Sequence, residues 1–140
     1  MVDFVRKEEP ENPWDGAEVI FSYSRAEAIA DGVLVDWTKE PLATLCRQAG
    51  FRLPIAMTAT AFAAAIGTGD LPSGQSVNGR AWDVLNVLRT AIRGNRDTDR
   101  VDFKVRVWNG VRFETTALWC HCGPGDTAEP VLTIMLEGED

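Results

Sequence analysis

The chain has 140 residues, 45% of them hydrophobic and 25% charged, with a formal net charge of −7. That length and balance predict one globular domain, burying roughly two-thirds of its unfolded surface without covalent staples. No run of 18 apolar residues occurs, the opening MVDFVRKEEPENPWDG lacks an export signal's apolar stretch, and Cys46, Cys120 and Cys122 are an odd number. A cytosolic protein with reduced thiols, no membrane role and no disulfide framework is expected.

The charge is unevenly spread. Residues 1–40 hold 4 basic and 10 acidic groups, residues 41–79 are +1, residues 80–112 are +4 and residues 113–140 are −6. A basic band thus lies inside an acidic chain, a balance that argues against general binding to nucleic acid or anionic membrane. Residues 1–17, charged and rich in proline, read as a flexible acidic tail; residues 18–140 read as a single α+β domain.

Ser24, followed three residues later by Glu27, is a capping box that opens a short helix, and Gly32 closes it. Val33–Val35 is a brief extended run. Thr38 is expected to cap a second helix that holds Pro41 in its first turn and stops at Gly50. Residues 51–58 are extended around Pro54, and an alanine-rich third helix runs from Thr58 or Thr60 to Ile66. The glycine-rich stretch 67–79 is a loop. The fourth helix, over 80–93, is the clearest: Ala81, Leu85, Leu88 and Ile92 recur at helical spacing, and Gly94 ends it.

The period then changes. Val101, Phe103, Val105 and Val107 alternate with polar partners as a half-buried strand, and Asn109-Gly110 turns the chain into a second strand. A three-residue loop with a left-handed Gly110 pairs Val107 with Val111, Val105 with Phe113 and Lys104 with Glu114. This register keeps charge off the core face. PVLTIML (130–136) is a third strand, apolar on both faces and therefore central or covered. The expected fold class is α+β: about four short helices followed by a three-stranded antiparallel β-meander packed against the 80–93 helix.

The candidate sites are few. A single histidine, His121, lies between Cys120 and Cys122, and strand alternation sends it to the face opposite the thiols. A zinc site there lacks a fourth ligand, and no catalytic triad can be assembled. No metal, cofactor or catalytic residue is therefore assigned. The start of the fourth helix, Asn78, Gly79, Arg80 and Asp83 with Asp126 nearby, is the best place for a small anionic ligand. An Arg80–Asp83 ion pair is the simpler account of those two residues. Arg89, Arg93, Arg96 and Arg100 read as a solvated helix end. The expected register sets Arg106 opposite Arg112 beside Trp108, a like-charge juxtaposition that suggests an interaction surface for a carboxylate or phosphate. Asp31, Asp36, Asp126 and Glu129 fall at element ends, where carboxylates commonly satisfy loop amides.

The stretches YSRAEAIADGVLVD (23–36), GRAWDVL (79–85) and GPGD…EPVLTIM (123–135) together resemble a family of small uncharacterised bacterial proteins. That family is a domain of unknown function carried on plasmids, phages and other mobile elements. The resemblance covers most of the chain beyond residue 17, and LWCHC lies outside it. It implies a context, an accessory protein of bacterial mobile DNA, and transfers no activity, cofactor or site residue. The leading expectation is a non-enzymatic protein-interaction module, in one form an inhibitor of a host defence protein, with another protein as partner. The alternative is a small ligand-binding or enzymatic domain using the Gly79–Asp83 helix start with a nearby carboxylate, Asp126 or Asp36.

Overall fold

The computed structural model describes residues 23–139. Four helices and five strands follow one another: α1 (Arg25–Ala30), β1 (Leu34–Asp36), α2 (Leu42–Gln48), β2 (Ile55–Thr58), α3 (Ala59–Ala65), α4 (Val77–Gly94), β3 (Arg100–Trp108), β4 (Phe113–Pro124) and β5 (Pro130–Leu136). The strands form one mixed sheet in the order β1-β2-β5-β4-β3. The fold is α+β as expected, but the three-stranded antiparallel meander is corrected to five strands. β5 pairs antiparallel with β4 and parallel with β2, and β2 carries β1 antiparallel on its outer edge. The meander reading stopped short because β2 has only four residues and meets β5 across some seventy intervening residues, a pairing with no local signal.

Local chemistry explains the helices. Ser24 Oγ accepts from the Glu27 amide at 3.0 Å, and the Glu27 carboxylate accepts from the Ser24 amide at 2.9 Å. Thr58 Oγ1 caps α3 by accepting from the Ala61 amide. Gly32 and Gly50 follow α1 and α2 with φ of 78° and 92°, the left-handed shape that ends a helix and that glycine adopts without strain. Two boundaries move. α2 begins at Leu42, because Thr38 gives its amide and hydroxyl to Asp36 and the Glu40 carboxylate takes the Thr44 amide. α4 begins at Val77, since Ser76 Oγ accepts from the Gly79 amide and draws Asn78 and Gly79 into the first turn.

One face of the sheet carries the core. Ala81, Val84, Leu85 and Leu88 of α4 are buried with Val101, Phe103 and Val105 of β3, and with Leu118 and Cys120 of β4. α2 and α3 complete this layer through Leu42, Cys46, Ala61 and Ala65, and Trp37 meets Phe62 edge-on with centroids 6.5 Å apart. α1 belongs to the other face, where its Arg25 reaches Thr133. β5 is buried on both faces, Leu132 and Ile134 to one side, Val131 and Met135 to the other, in keeping with helices on both sides of the sheet.

The hairpin register differs from the expected one. Asn109 Oδ1 accepts from the amides of both Val111 and Arg112, and the Asn109 amide donates to the Arg112 carbonyl. The loop therefore holds four residues, and Trp108 pairs with Phe113. Gly110 is left-handed, at φ 99°, as expected. Val105 then lies opposite Thr116 and Phe103 opposite Leu118, while Arg106 faces Thr115 rather than Arg112. Phe113 turns to the face away from Val105. The expected register keeps charge off the core side; in the structure Glu114 falls on that side, where it is exposed near the hairpin end.

The fold makes a direct prediction. Leu85, fully buried beneath the sheet, should cost about 2–5 kcal/mol when cut to alanine. Val111→Ala at the 83% exposed hairpin tip should stay within about 0.5 kcal/mol. Urea unfolding of the two variants checks the contrast.

Candidate functional site

The start of α4 and the end of the β3–β4 hairpin enclose one cavity of about 260 Å³, lined by Gln75, Arg80, Asp83, Arg106, Trp108 and Phe113 among others. Two candidate groups that the sequence kept apart are thus brought together, the helix-start residues Arg80 and Asp83 and the hairpin residues Arg106 and Trp108. Asn78 and Gly79 lie just behind, inside the first helical turn, and Asp126 is elsewhere. Arg112 sits in the loop, outside the lining.

Arg80 is not a free cation. Its side chain is 9% exposed. Nη1 donates to the Ile66 carbonyl at 2.8 Å, Nε to Gln75 Oε1 at 3.2 Å and Nη2 to the Trp108 carbonyl. The guanidinium ties the end of α3, the loop before α4 and the end of β3 into one corner. Gly67, at φ 97°, leaves room for it: a Cβ there would lie 3.0 Å from Nη1. Among the described residues Arg80 makes no ion pair with Asp83, since its donors are spent on carbonyl and amide oxygens. With the Gly79 amide held by Ser76 and the Arg80 guanidinium spent on Ile66, Gln75 and Trp108, two of the donors that an anion site there was expected to use are already bonded within the chain.

The exposed side of this corner is aromatic and cationic. Phe113 is 54% exposed; its ring centroid lies 5.1 Å from that of Trp108 at 61° between planes, and the Arg106 guanidinium stands 4.6 Å over it. Both contacts have geometries that attract, through the ring quadrupole. Phe113 was missed as a surface residue because the expected register buried it. The available signal was Asn109, whose side chain can take two following amides and lengthen a turn.

Asp126 caps α1 from a distance of a hundred residues, accepting from the Arg25 and Ala26 amides at 2.8 and 3.0 Å. Arg25 in turn donates to Thr133 Oγ1 at 2.7 Å and to the Leu132 carbonyl at 2.8 Å, bracing α1 against β5. Burial pulls the Arg25 guanidinium below its usual range, against the opposing pull of Asp36, Asp126 and Glu129. Three of the four carboxylates singled out in the sequence therefore act on one arginine through their charge, none of them as an ion pair among the described residues. Asp31 does not join them; it accepts from the Tyr23 hydroxyl at 2.6 Å. Asp36 is held by Thr38 and Glu129 by Thr127. Each acts as a cap or a turn bond.

Alternation places Cys120 and Cys122 on the core face and His121 on the other, as the sequence pattern requires. Among the described residues no three of histidine, cysteine, aspartate and glutamate come together as a metal-binding group. Burial pushes the Cys46 thiol up to about 11 and the Cys120 thiol up to about 12.

The class defined by these features is a small α+β protein with an aromatic, arginine-bearing hairpin end. The chain belongs to a family of unknown function, DUF6573, which matches residues 11–140. Neither a curated protein nor a solved structure matches it. Among the described residues no helix is long and apolar enough to cross a membrane.

Three outcomes follow from this geometry. Arg80→Met should destabilise the fold by about 1–3 kcal/mol, because it strands buried carbonyls, and Arg80→Lys should rescue little, since an ammonium lacks the fixed fork; thermal unfolding reads both. Backbone amides hold the Asp126 carboxyl below the usual carboxylate range, so its contribution is present above an ordinary aspartate value of roughly 3.9 and is lost as pH falls through the lower native one. Asp126→Asn should therefore lower stability near neutral pH and flatten the acid limb of the stability profile. At neutral pH an aromatic disulfide reagent should label half-buried Cys122 in the native protein, with Cys46 and Cys120, both buried, reacting only after denaturant is added.

Proposed function

We infer that this chain is a non-enzymatic protein-interaction module whose contact surface is the hairpin end: Arg106, Trp108 and Arg112, together with Phe113. The observation that carries this reading is the exposed Phe113, paired edge-on with half-buried Trp108 and with Arg106 stacked over its ring. Aromatic residues and arginine dominate the energetics of protein interfaces, where a large rigid ring buries area at small entropic cost and a guanidinium offers a fork of donors. Val111, 83% exposed, extends the same tip. The two guanidiniums favour a partner with carboxylates set around an apolar recess.

The sequence resemblance supports a setting for this module, as a cytosolic accessory protein of bacterial mobile DNA. A host defence protein is then a natural partner, inhibited by occupation. The alternative, an anion-binding or enzymatic domain built on Gly79–Asp83, has less support, because Arg80 and the Gly79 amide are already bonded within the chain. Direct nucleic-acid binding through Arg89–Arg112 is opposed by the net charge of −7.

The test is affinity capture from bacterial lysates with the wild-type chain and with Phe113→Ser and Arg106→Ala. These positions are exposed, so the variants should keep the wild-type thermal midpoint. A specific protein should be retained at low salt, released near 1 M salt where the Debye length is about 3 Å, and bound about tenfold more weakly by each variant. Equal retention by Phe113→Ser, or retardation of DNA in place of a protein partner, would overturn the reading.

A further inference from the structure

At the other end of α4, about 27 Å along an 18-residue helix, lies a second and larger cavity of about 480 Å³. That size falls in the roughly 300–1,000 Å³ span of small-molecule pockets. Its apolar surface comes from Phe51 and Leu53 after α2, Ile92 on α4, Val101 on β3 and Leu132 on β5, and the Cys120 and Cys122 side chains of β4 join it. Around these stand Arg52, Arg89, Arg93 and Arg96, against one carboxylate, Asp99. Four guanidiniums less one carboxylate leave this lining at +3, within a chain whose net charge is −7.

A solvated helix end does not account for that surplus. The C-terminal dipole of a helix amounts to about half an elementary charge, which a single arginine offsets. The one carboxylate is turned toward His121, 3.8 Å from its Nε2. Among the described residues Arg52, Arg93 and Arg96 form no ion pair. Arg89 spends Nη1 on the Ala49 carbonyl at 3.3 Å, and its Nε is buried without a partner among the described residues. An apolar wall beside guanidiniums that form no ion pair among the described residues is complementary to one kind of ligand.

We propose that this cavity binds an amphiphilic anion, a small molecule whose apolar body rests on Phe51, Leu53, Ile92 and Leu132 and whose carboxylate or phosphate head is held by Arg89, Arg93 and Arg96. The apolar wall supplies affinity through burial, and the arginines select charge through forked, charge-assisted hydrogen bonds. This site is independent of the hairpin end.

Cys122 serves as the reporter, since it lines the cavity and is the only thiol of the three that is not buried. Labelling by an aromatic disulfide reagent is timed with decanoate, decyl phosphate, decanol or inorganic phosphate added below any micelle-forming concentration, and titration calorimetry is run in parallel. Either or both decyl anions should slow labelling saturably and give a calorimetric isotherm, the tighter one identifying the head group, whereas decanol and inorganic phosphate should do neither. The Arg93→Gln/Arg96→Gln variant, altered at exposed positions, should weaken that binding about tenfold with an unchanged thermal midpoint, and Phe113→Ser should leave it intact. Protection by decanol equal to that by decanoate, no protection by either anion, or an unaltered affinity in the double arginine variant would overturn the proposal.

Discussion

The strand β5 is the constraint on which the rest of the structure depends. It is bonded on one edge to β4 and on the other to β2, and side chains on both of its faces are buried. Through it the two halves of the chain share one sheet, and with them the surfaces that neither half could build alone. The larger cavity needs the segment after α2, the end of α4 and the ends of β4 and β5 at once. The Arg25 brace needs α1 to lie over Thr133 and Leu132 of the same strand. Remove the parallel pairing and α1 to β2 have no sheet to join.

The arginines fall into two kinds, and the difference is where their donors go. Arg80 and Arg25 are absorbed into the fold, each bridging backbone carbonyls and side-chain oxygens from segments distant in sequence. A guanidinium suits this because its planar fork satisfies several acceptors at fixed angles. Arg106 and the cluster around Arg93 lie at surfaces beside apolar side chains, where charge and burial act together on a partner. The same residue type thus supplies both the joints and the binding surfaces, and burial decides between the two roles.

Much of the fold could be read from short-range pattern. The capping box at Ser24, the glycines after α1 and α2, the threonine cap of α3 and the apolar stripe of α4 all stand where their chemistry requires. The face assignment of Cys120, His121 and Cys122 followed from alternation alone. The candidate site was less legible. Asp83, Arg106 and Trp108 share a cavity that spacing could not reveal, and Arg80 proved to be a structural tie because its acceptors, Ile66 and Trp108, lie 14 and 28 residues away. Phe113 was hidden by a loop one residue longer than expected, a difference set by the two amide bonds of the Asn109 side chain.

Caps, breakers and periodicity act within one or two turns of chain, so the residues themselves settle where each helix starts, where most strands lie and which strand face is apolar. Which strands become neighbours, which side chains share a cavity and which cations meet an apolar wall depend on contacts between distant segments. Their free energies come from burial shared by the whole core. Those choices were made only when β2 found β5 and α4 closed over β3.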